Sequence, residues 1–245
     1  HIESIDFDHV WFSYDNNDIY ALEDFTLYIT YGDFIGIVGP SGSGKSTLLS
    51  LLMGIYKPTK GAIYINGIDI AKYDSSVLRH LMGYVFQQAY LFKGSIKDNL
   101  TLFDTSISYE DMVDAAKQVN LDSMIEQLPE GYNTPVGYLG SLLSDGQKQL
   151  LAFGRTLIRK IPILLLDEAT ANIDSHTEKQ IQASIENIRG TKTIVSIAHR
   201  LSTVQDANKI VYMEYGKIIE SGSFEELINS KGAFYNLWSN QQSGS

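Results

Sequence analysis

Phe34-Ile35-Gly36-Ile37-Val38-Gly39-Pro40-Ser41-Gly42-Ser43-Gly44-Lys45-Ser46-Thr47 is the stretch from which the rest of the chain is read. It opens with an uncharged, mostly apolar run, the mark of a strand covered on both faces. The run ends in a turn that satisfies the Gly-x4-Gly-Lys-Ser pattern, and helix-forming residues follow. Strand, glycine-rich turn and helix in that order form a phosphate-binding unit. The glycines let the backbone fold around a phosphate so that successive N–H groups face it, and a helix starting near Lys45 adds its positive end. Lys45 is expected at the β- and γ-phosphates and Ser46 at Mg²⁺. The candidate phosphate-binding residues are Gly39, Ser41, Gly42, Ser43, Gly44, Lys45, Ser46 and Thr47.

Downstream, Ile163-Leu164-Leu165-Leu166-Asp167-Glu168 is a buried-strand pattern that ends in two carboxylates. Asp167 is expected in the metal shell, and Glu168 where it can orient and deprotonate an attacking water. His199 follows another apolar strand, Thr193–Ile197, and so falls at the same carboxyl edge of a parallel sheet, where such folds bind ligands. That position favours a γ-phosphate contact.

The alternation of Ile163–Leu166, 175–188, Thr193–Ile197 and Lys209–Met213 predicts strands joined by crossover helices. Tyr215-Gly216 predicts a hairpin turn, and 223–237 a closing helix. Upstream, Ile5, Phe7, His9 and Trp11, then Phe25, Leu27 and Ile29, alternate as in half-buried antiparallel strands. Between Gln88 and Gln149 strand-like runs vanish, Met112, Ala115, Ala116 and Val119 take helical spacing, and Pro and Gly punctuate the rest. The expected fold is therefore α/β: a phosphate-loop core with a mixed, mainly parallel sheet, an N-terminal antiparallel β subdomain and an inserted helical subdomain. Residues 1–87 and 150–245 form the core in this reading, and 88–149 the helical lobe.

Composition narrows the function. The 245 residues suffice for one sizeable α/β domain. A membrane span needs about 20 consecutive apolar residues, and the longest run, Ile161–Leu166, is interrupted by Pro162. The absence of cysteine excludes disulfides and thiolate zinc sites. A net charge of −10 argues against nucleic acid as a partner. The start at His1 and the end in Ser-Gly-Ser suggest a segment of a longer protein.

Phosphate loops occur in many ATPases and GTPases, and Leu143-Ser144-Asp145-Gly146-Gln147 chooses among them. It resembles the signature motif of ABC transporters, usually Leu-Ser-Gly-Gly-Gln, and the resemblance to an ABC nucleotide-binding domain covers essentially the whole chain. It implies that Tyr14 stacks on adenine and that Gln87 is the hinge glutamine between core and lobe, which also reaches the metal. By the same resemblance Ala171-Asn172-Ile173-Asp174 meets its counterpart across a dimer, and His199 is the switch histidine. The implied activity is MgATP hydrolysis, with two such domains facing head to tail. Each ATP then lies between one phosphate loop and the other domain's signature, here Ser144, Gly146 and Gln147. The implied setting is the cytoplasmic face of the cell membrane, beside a transmembrane domain fused N-terminally. Ser144 and Gln147 also form a capping box, so a helix is expected to begin there and offer its N–H groups to a γ-phosphate.

Asp145 stands where glycine is usual. A carboxylate there suits its own helix, but two anions a few ångströms apart repel by about 1 to 4 kcal/mol. A weakened signature beside an intact Lys45, Asp167, Glu168 and His199 resembles one half of a heterodimeric, multidrug-type exporter. A tolerated substitution in a homodimer is the alternative. Tyr138 replaces a glutamate usual in exporters, and Tyr90-Leu91-Phe92 offers a candidate docking patch for the membrane domain. DNA-repair and translation-factor relatives carry long coiled-coil or basic insertions, and GTPases an Asn-Lys-x-Asp-like element; neither feature is present.

Overall fold

The computed structural model describes residues 1–86, 88–137, 142–167 and 174–244. The chain divides into two compact units, one of 1–83, 162–168 and 190–245, the other of 84–161 and 169–189. It begins with β1 (Ser4–Phe12), β2 (Leu22–Thr30), β3 (Phe34–Val38), α1 (Lys45–Leu52), β4 (Lys60–Ile65), β5 (Ile68–Asp69), α2 (Ser75–Leu81) and β6 (Met82–Val85). The second unit takes α3 (Ile96–Thr101), α4 (Tyr109–Gln118), α5 (Asp122–Glu126) and α6 (Asp145–Ile158). The chain returns to the first unit for β7 (Ile163–Asp167), leaves for α7 (Ser175–Ile188), and comes back for β8 (Thr193–Ile197), β9 (Lys209–Glu214), β10 (Lys217–Gly222), α8 (Phe224–Ser230) and α9 (Ala233–Ser243).

In the first unit one sheet runs in the order β10-β9-β3-β8-β7-β6. All five residues of β3 and of β8 are buried, as expected of strands covered on both faces. β3 pairs parallel with β8 and β9, and β7 parallel with β8. Their carboxyl ends therefore share one edge, from which the phosphate loop, Asp167 and the segment before His199 emerge. β9 and β10 form the expected hairpin. Tyr215 and Gly216 take φ 50° and 76°, the pair of left-handed conformations that matches strand twist in a two-residue turn.

The second sheet, β2-β1-β4-β5, is antiparallel. Phe7 and Phe25 meet edge to face at 5.4 Å in its core. The simple alternation expected through His9 and Trp11 does not hold. His9 takes φ 48°, the register shifts between Phe7 and Val10, and Val10 and Phe12 are the buried residues that continue the core face. An extra residue in one strand re-aims every side chain after it. The predicted single helix over 223–237 is also two helices. Lys231 turns left-handed at φ 52° and ends α8. α9 restarts at Ala233, where the Phe234 N–H donates to Glu220 Oε2 at 2.7 Å, so a carboxylate on β10 satisfies a donor of the new first turn.

The second unit is helical among its described residues apart from the β6 end and an isolated bridge between Ser95 and Pro135. Ser95, Ser108, Ser144 and Asp174 cap α3, α4, α6 and α7 by accepting a backbone N–H three residues on. α6 buries Leu150, Leu151, Phe153 and Leu157, and full burial of such a side chain contributes about 1.5–3 kcal/mol. A Cβ on Gly146 would lie 2.1 Å from Thr177 Cγ2, so the glycine is what lets α7 approach the start of α6. Arg155 on α6 donates to the carbonyls of Asn99 and Tyr90. Leu91 is buried, whereas Tyr90 and Phe92 of the suggested docking patch are exposed and contact each other edge to face at 5.1 Å.

Candidate functional site

A cavity of about 370 Å³ opens at the carboxyl edge of the parallel strands, lined by Tyr14, Ala21, Ser41 to Thr47 and His199. Its size falls within the roughly 300–1,000 Å³ of small-molecule sites. Three separate parts of the chain thus converge in the first unit: the loop after β1, the turn between β3 and α1, and the segment after β8.

The turn is held open by its glycines. Gly39 and Gly44 take φ 148° and 98°, and a Cβ on them would strike the carbonyl oxygens of Met213 and Ala21 at 2.1 and 2.5 Å. Gly42 has φ 78° with nothing within 4 Å of its Cβ position, so the middle of the turn faces open space. Outside the turn, Gly216 N donates to the Ser43 carbonyl at 2.9 Å; the β9–β10 hairpin thereby braces the cradle. Gly44 supplies no side-chain cap to α1, and the start of a helix suits an anion. The Ser43 hydroxyl is buried without a hydrogen-bond partner, a polar atom that a phosphate oxygen would satisfy. Lys45 is 5 % exposed, and its Nζ donates to the carbonyls of Gly39 and Pro40 at 2.6 and 3.0 Å. A buried ammonium beside a glycine-rich turn and a helix start fits a polyphosphate.

Tyr14 closes one side of the cavity. Its hydroxyl is 2.6 Å from Thr47 Oγ1, and its ring stands edge to face with Phe12 at 4.8 Å and Tyr56 at 5.4 Å. The ring remains 54 % exposed, so a flat apolar partner can still reach it. Neither Tyr56 nor the Thr47 bond is visible in any sequence period, because both partners come from other elements.

Asp167 ends β7 opposite Ile197 in the parallel ladder, which places it on the edge shared with the loop. Ser46 is exposed, and the Ser46 hydroxyl with the Asp167 carboxylate is the oxygen donor set that Mg²⁺ prefers. Among the described residues no three His, Asp or Glu side chains cluster as a metal site. Gln87 and Glu168, together with Tyr138 and 171–173, lie outside the described residues.

Ser144, Gly146 and Gln147 lie at the start of α6, in the second unit. The capping box is present: Gln147 N donates to Ser144 Oγ at 3.1 Å, and Ser144 N donates to Gln147 Oε1 at 3.0 Å. Asp145 is 81 % exposed, with Lys148 Nζ 3.6 Å from its carboxylate. Asp174 caps α7 through Thr177 N at 2.9 Å. Hydrogen bonds from the Thr177 side chain and backbone hold its carboxyl below the usual carboxylate range.

The ABC transporter family model matches residues 22–171. A Streptococcus pneumoniae protein named as an ABC transporter ATP-binding protein is 44 % identical over 97 % of this chain and 40 % of its own length. Staphylococcus aureus proteins named as multidrug export ATP-binding/permease proteins are 42 % identical over 97 % of this chain and 41 % of theirs. The solved structure of a bacterial Atm1-family ABC exporter with ATP bound superposes with a TM-score of 0.89 at 38 % identity, covering 98 % of this chain and 42 % of that one. The chain therefore spans about two fifths of the length of these relatives. It belongs to the ABC transporter family and has the ABC ATPase fold.

Proposed function

We propose that this chain binds MgATP in the cavity between Tyr14, the 39–47 loop and His199, and hydrolyses it to drive export through a transmembrane domain of the full protein. The convergence of those three segments around one cavity carries the reading. Adenine stacks on Tyr14, and the phosphates sit on the loop N–H groups and Lys45. Ser46, Asp167 and Gln87 would hold Mg²⁺, which would offset phosphate charge. Glu168 takes the proton of the attacking water, and His199 contacts the γ-phosphate. Residues 1–87 and 150–245 act as the ATP-binding core and 88–149 as the lobe that offers the signature. The strand-poor texture of that stretch supports the division.

Turnover in this reading needs a second nucleotide-binding domain, whose signature closes the site while Asp174 and 171–173 meet their counterparts. The exposure of Asp145 favours a different subunit as that partner. Lys148 offsets part of its charge, but exposed pairs of this kind contribute little, so an anion would still meet an incoming γ-phosphate. The relatives named as export proteins favour export over import, and the cytoplasmic face of the membrane is the matching location. No helix of the described residues is long and apolar enough to cross a membrane. The direct test titrates the chain with ATP and Mg²⁺: binding is expected, and it should be lost in Lys45→Ala. Binding that ignores Lys45 overturns the proposal.

A further inference from the structure

The C-terminal helix grips the backbone of the segment that carries His199. Gln241 Nε2 donates to the His199 carbonyl at 2.5 Å, and Gln241 Oε1 accepts from Leu201 N at 3.1 Å. A single amide thus uses a donor and its acceptor on two backbone groups that flank Arg200, the pairing a neighbouring strand would provide. It acts where the sheet has run out. β8 ends at Ile197, and Ala198 N makes a last bond to the Ile37 carbonyl at 3.1 Å. The short turn over Leu201–Thr203 follows, where Thr203 N donates to the Arg200 carbonyl at 3.2 Å. The direction of His199 depends in part on the backbone dihedrals of this stretch, and Gln241 holds the peptide group that follows His199 and the one after it.

The grip has a firm base. α9 is tied to β10 through Phe234 N and Glu220. Phe234, fully buried, contacts Phe224 at 6.0 Å between ring centres, and Trp238 contacts the same ring at 6.1 Å. Gln241 therefore projects from a helix that is itself anchored, while His199 lines the cavity.

We infer that Gln241 is a positioning residue for His199: it holds the 199–201 backbone so that the imidazole faces the terminal phosphate. The inference rests on the ATP-site reading given above. It does not place Gln241 in contact with nucleotide, and its loss should act on turnover rather than on binding. Misplacing a reacting group by about 1 Å costs up to about 100-fold in rate; for two lost backbone bonds at an otherwise anchored segment, a fall of about 10-fold is expected.

The test uses the full-length protein with its partner subunit. Gln241→Ala should lower ATP turnover about 10-fold with the KM for ATP within about 2-fold. In hydrogen–deuterium exchange, the peptide spanning 198–203 should lose protection as the Leu201 amide is released. In a His199→Ala background, Gln241→Ala should cost nothing further, because a residue that acts through another is silent once the other is gone. Gln241→Glu keeps the acceptor for Leu201 but loses the donor for His199, so it should protect the amide while leaving turnover low. Unchanged turnover or unchanged exchange in Gln241→Ala overturns the inference, and so does an additive loss in the double variant, which marks a general role in stability. If His199→Ala leaves turnover intact, the assigned role of His199 fails and the positioning role with it, while lost ATP binding in Lys45→Ala would still uphold the nucleotide site.

Discussion

Tyr14 shows how one side chain is prepared before any ligand arrives. Two rings meet it edge to face, and Thr47 ties down its hydroxyl, so little rotational freedom remains to be lost on stacking. A neutral hydrogen bond contributes about 0.5–1.5 kcal/mol. Tyr14→Phe should therefore weaken ATP binding by about 2- to 10-fold, measured by calorimetric titration, whereas inorganic tripolyphosphate, which has no base, should bind as before. Equal weakening of both would show that the hydroxyl serves the phosphates instead. Glu168→Gln keeps shape and removes the base, so turnover should fall by about 10²- to 10⁴-fold with ATP affinity retained. Unaltered phosphate release in that variant would take Glu168 out of its assigned role.

Helix starts and helix contacts in the second unit make separate demands on the signature. Ser144 satisfies a first-turn donor of α6, and Ser144→Ala should destabilise the protein by about 1 kcal/mol, read as a lower thermal midpoint. Gly146→Ala should destabilise it more, by about 1–3 kcal/mol, because its Cβ would meet Thr177 at 2.1 Å. A variant as stable as the parent would mean that α7 yields freely. The Asp174 cap adds a pH dependence. Its folded carboxyl titrates below the unfolded value, with the Thr177 side-chain hydrogen bond as the first cause. The stability it contributes is thus present above the unfolded pKa of about 3.9 and lost as pH falls through the lower folded value. Urea midpoints of the parent and Asp174→Asn should differ near pH 6 and converge in acid.

For the molecule as a whole, the proposed asymmetry predicts a specific mixing result. Alone, the chain should hydrolyse ATP slowly. Addition of a nucleotide-binding domain with an unaltered Leu-Ser-Gly-Gly-Gln signature should raise turnover strongly. Asp145→Gly should partly replace that partner by removing the anion from the surface presented to γ-phosphate. Full-rate hydrolysis at both sites of a homodimer would remove the case for a distinct subunit and leave the substitution as a tolerated one. The docking of Tyr90 and Phe92 on a membrane domain would be tested in the same assembled protein, by whether substituting them uncouples hydrolysis from transport.

Much of this was legible along the chain because it depends on neighbours in sequence. The phosphate loop declares itself through glycine spacing, β3, β7, β8 and β9 through short apolar runs, and the α6 start through Ser144 and Gln147, whose bonds close over three residues. Even the hairpin at Tyr215-Gly216 needs only two residues able to adopt positive φ. Other features form only when distant segments meet. The bulge at His9 depends on what β2 and β4 demand of β1, and the break at Lys231 on a carboxylate from β10. The Thr47 bond to Tyr14, the Thr177 contact with Gly146 and the Gln241 grip on the His199 segment join residues 30 or more positions apart. Local propensity and periodicity register conformation and burial, and so the chain alone specified the cradle and the cap of α6. Hydrogen-bond partners across space obey no period, and the tertiary structure alone decided what holds those groups in place.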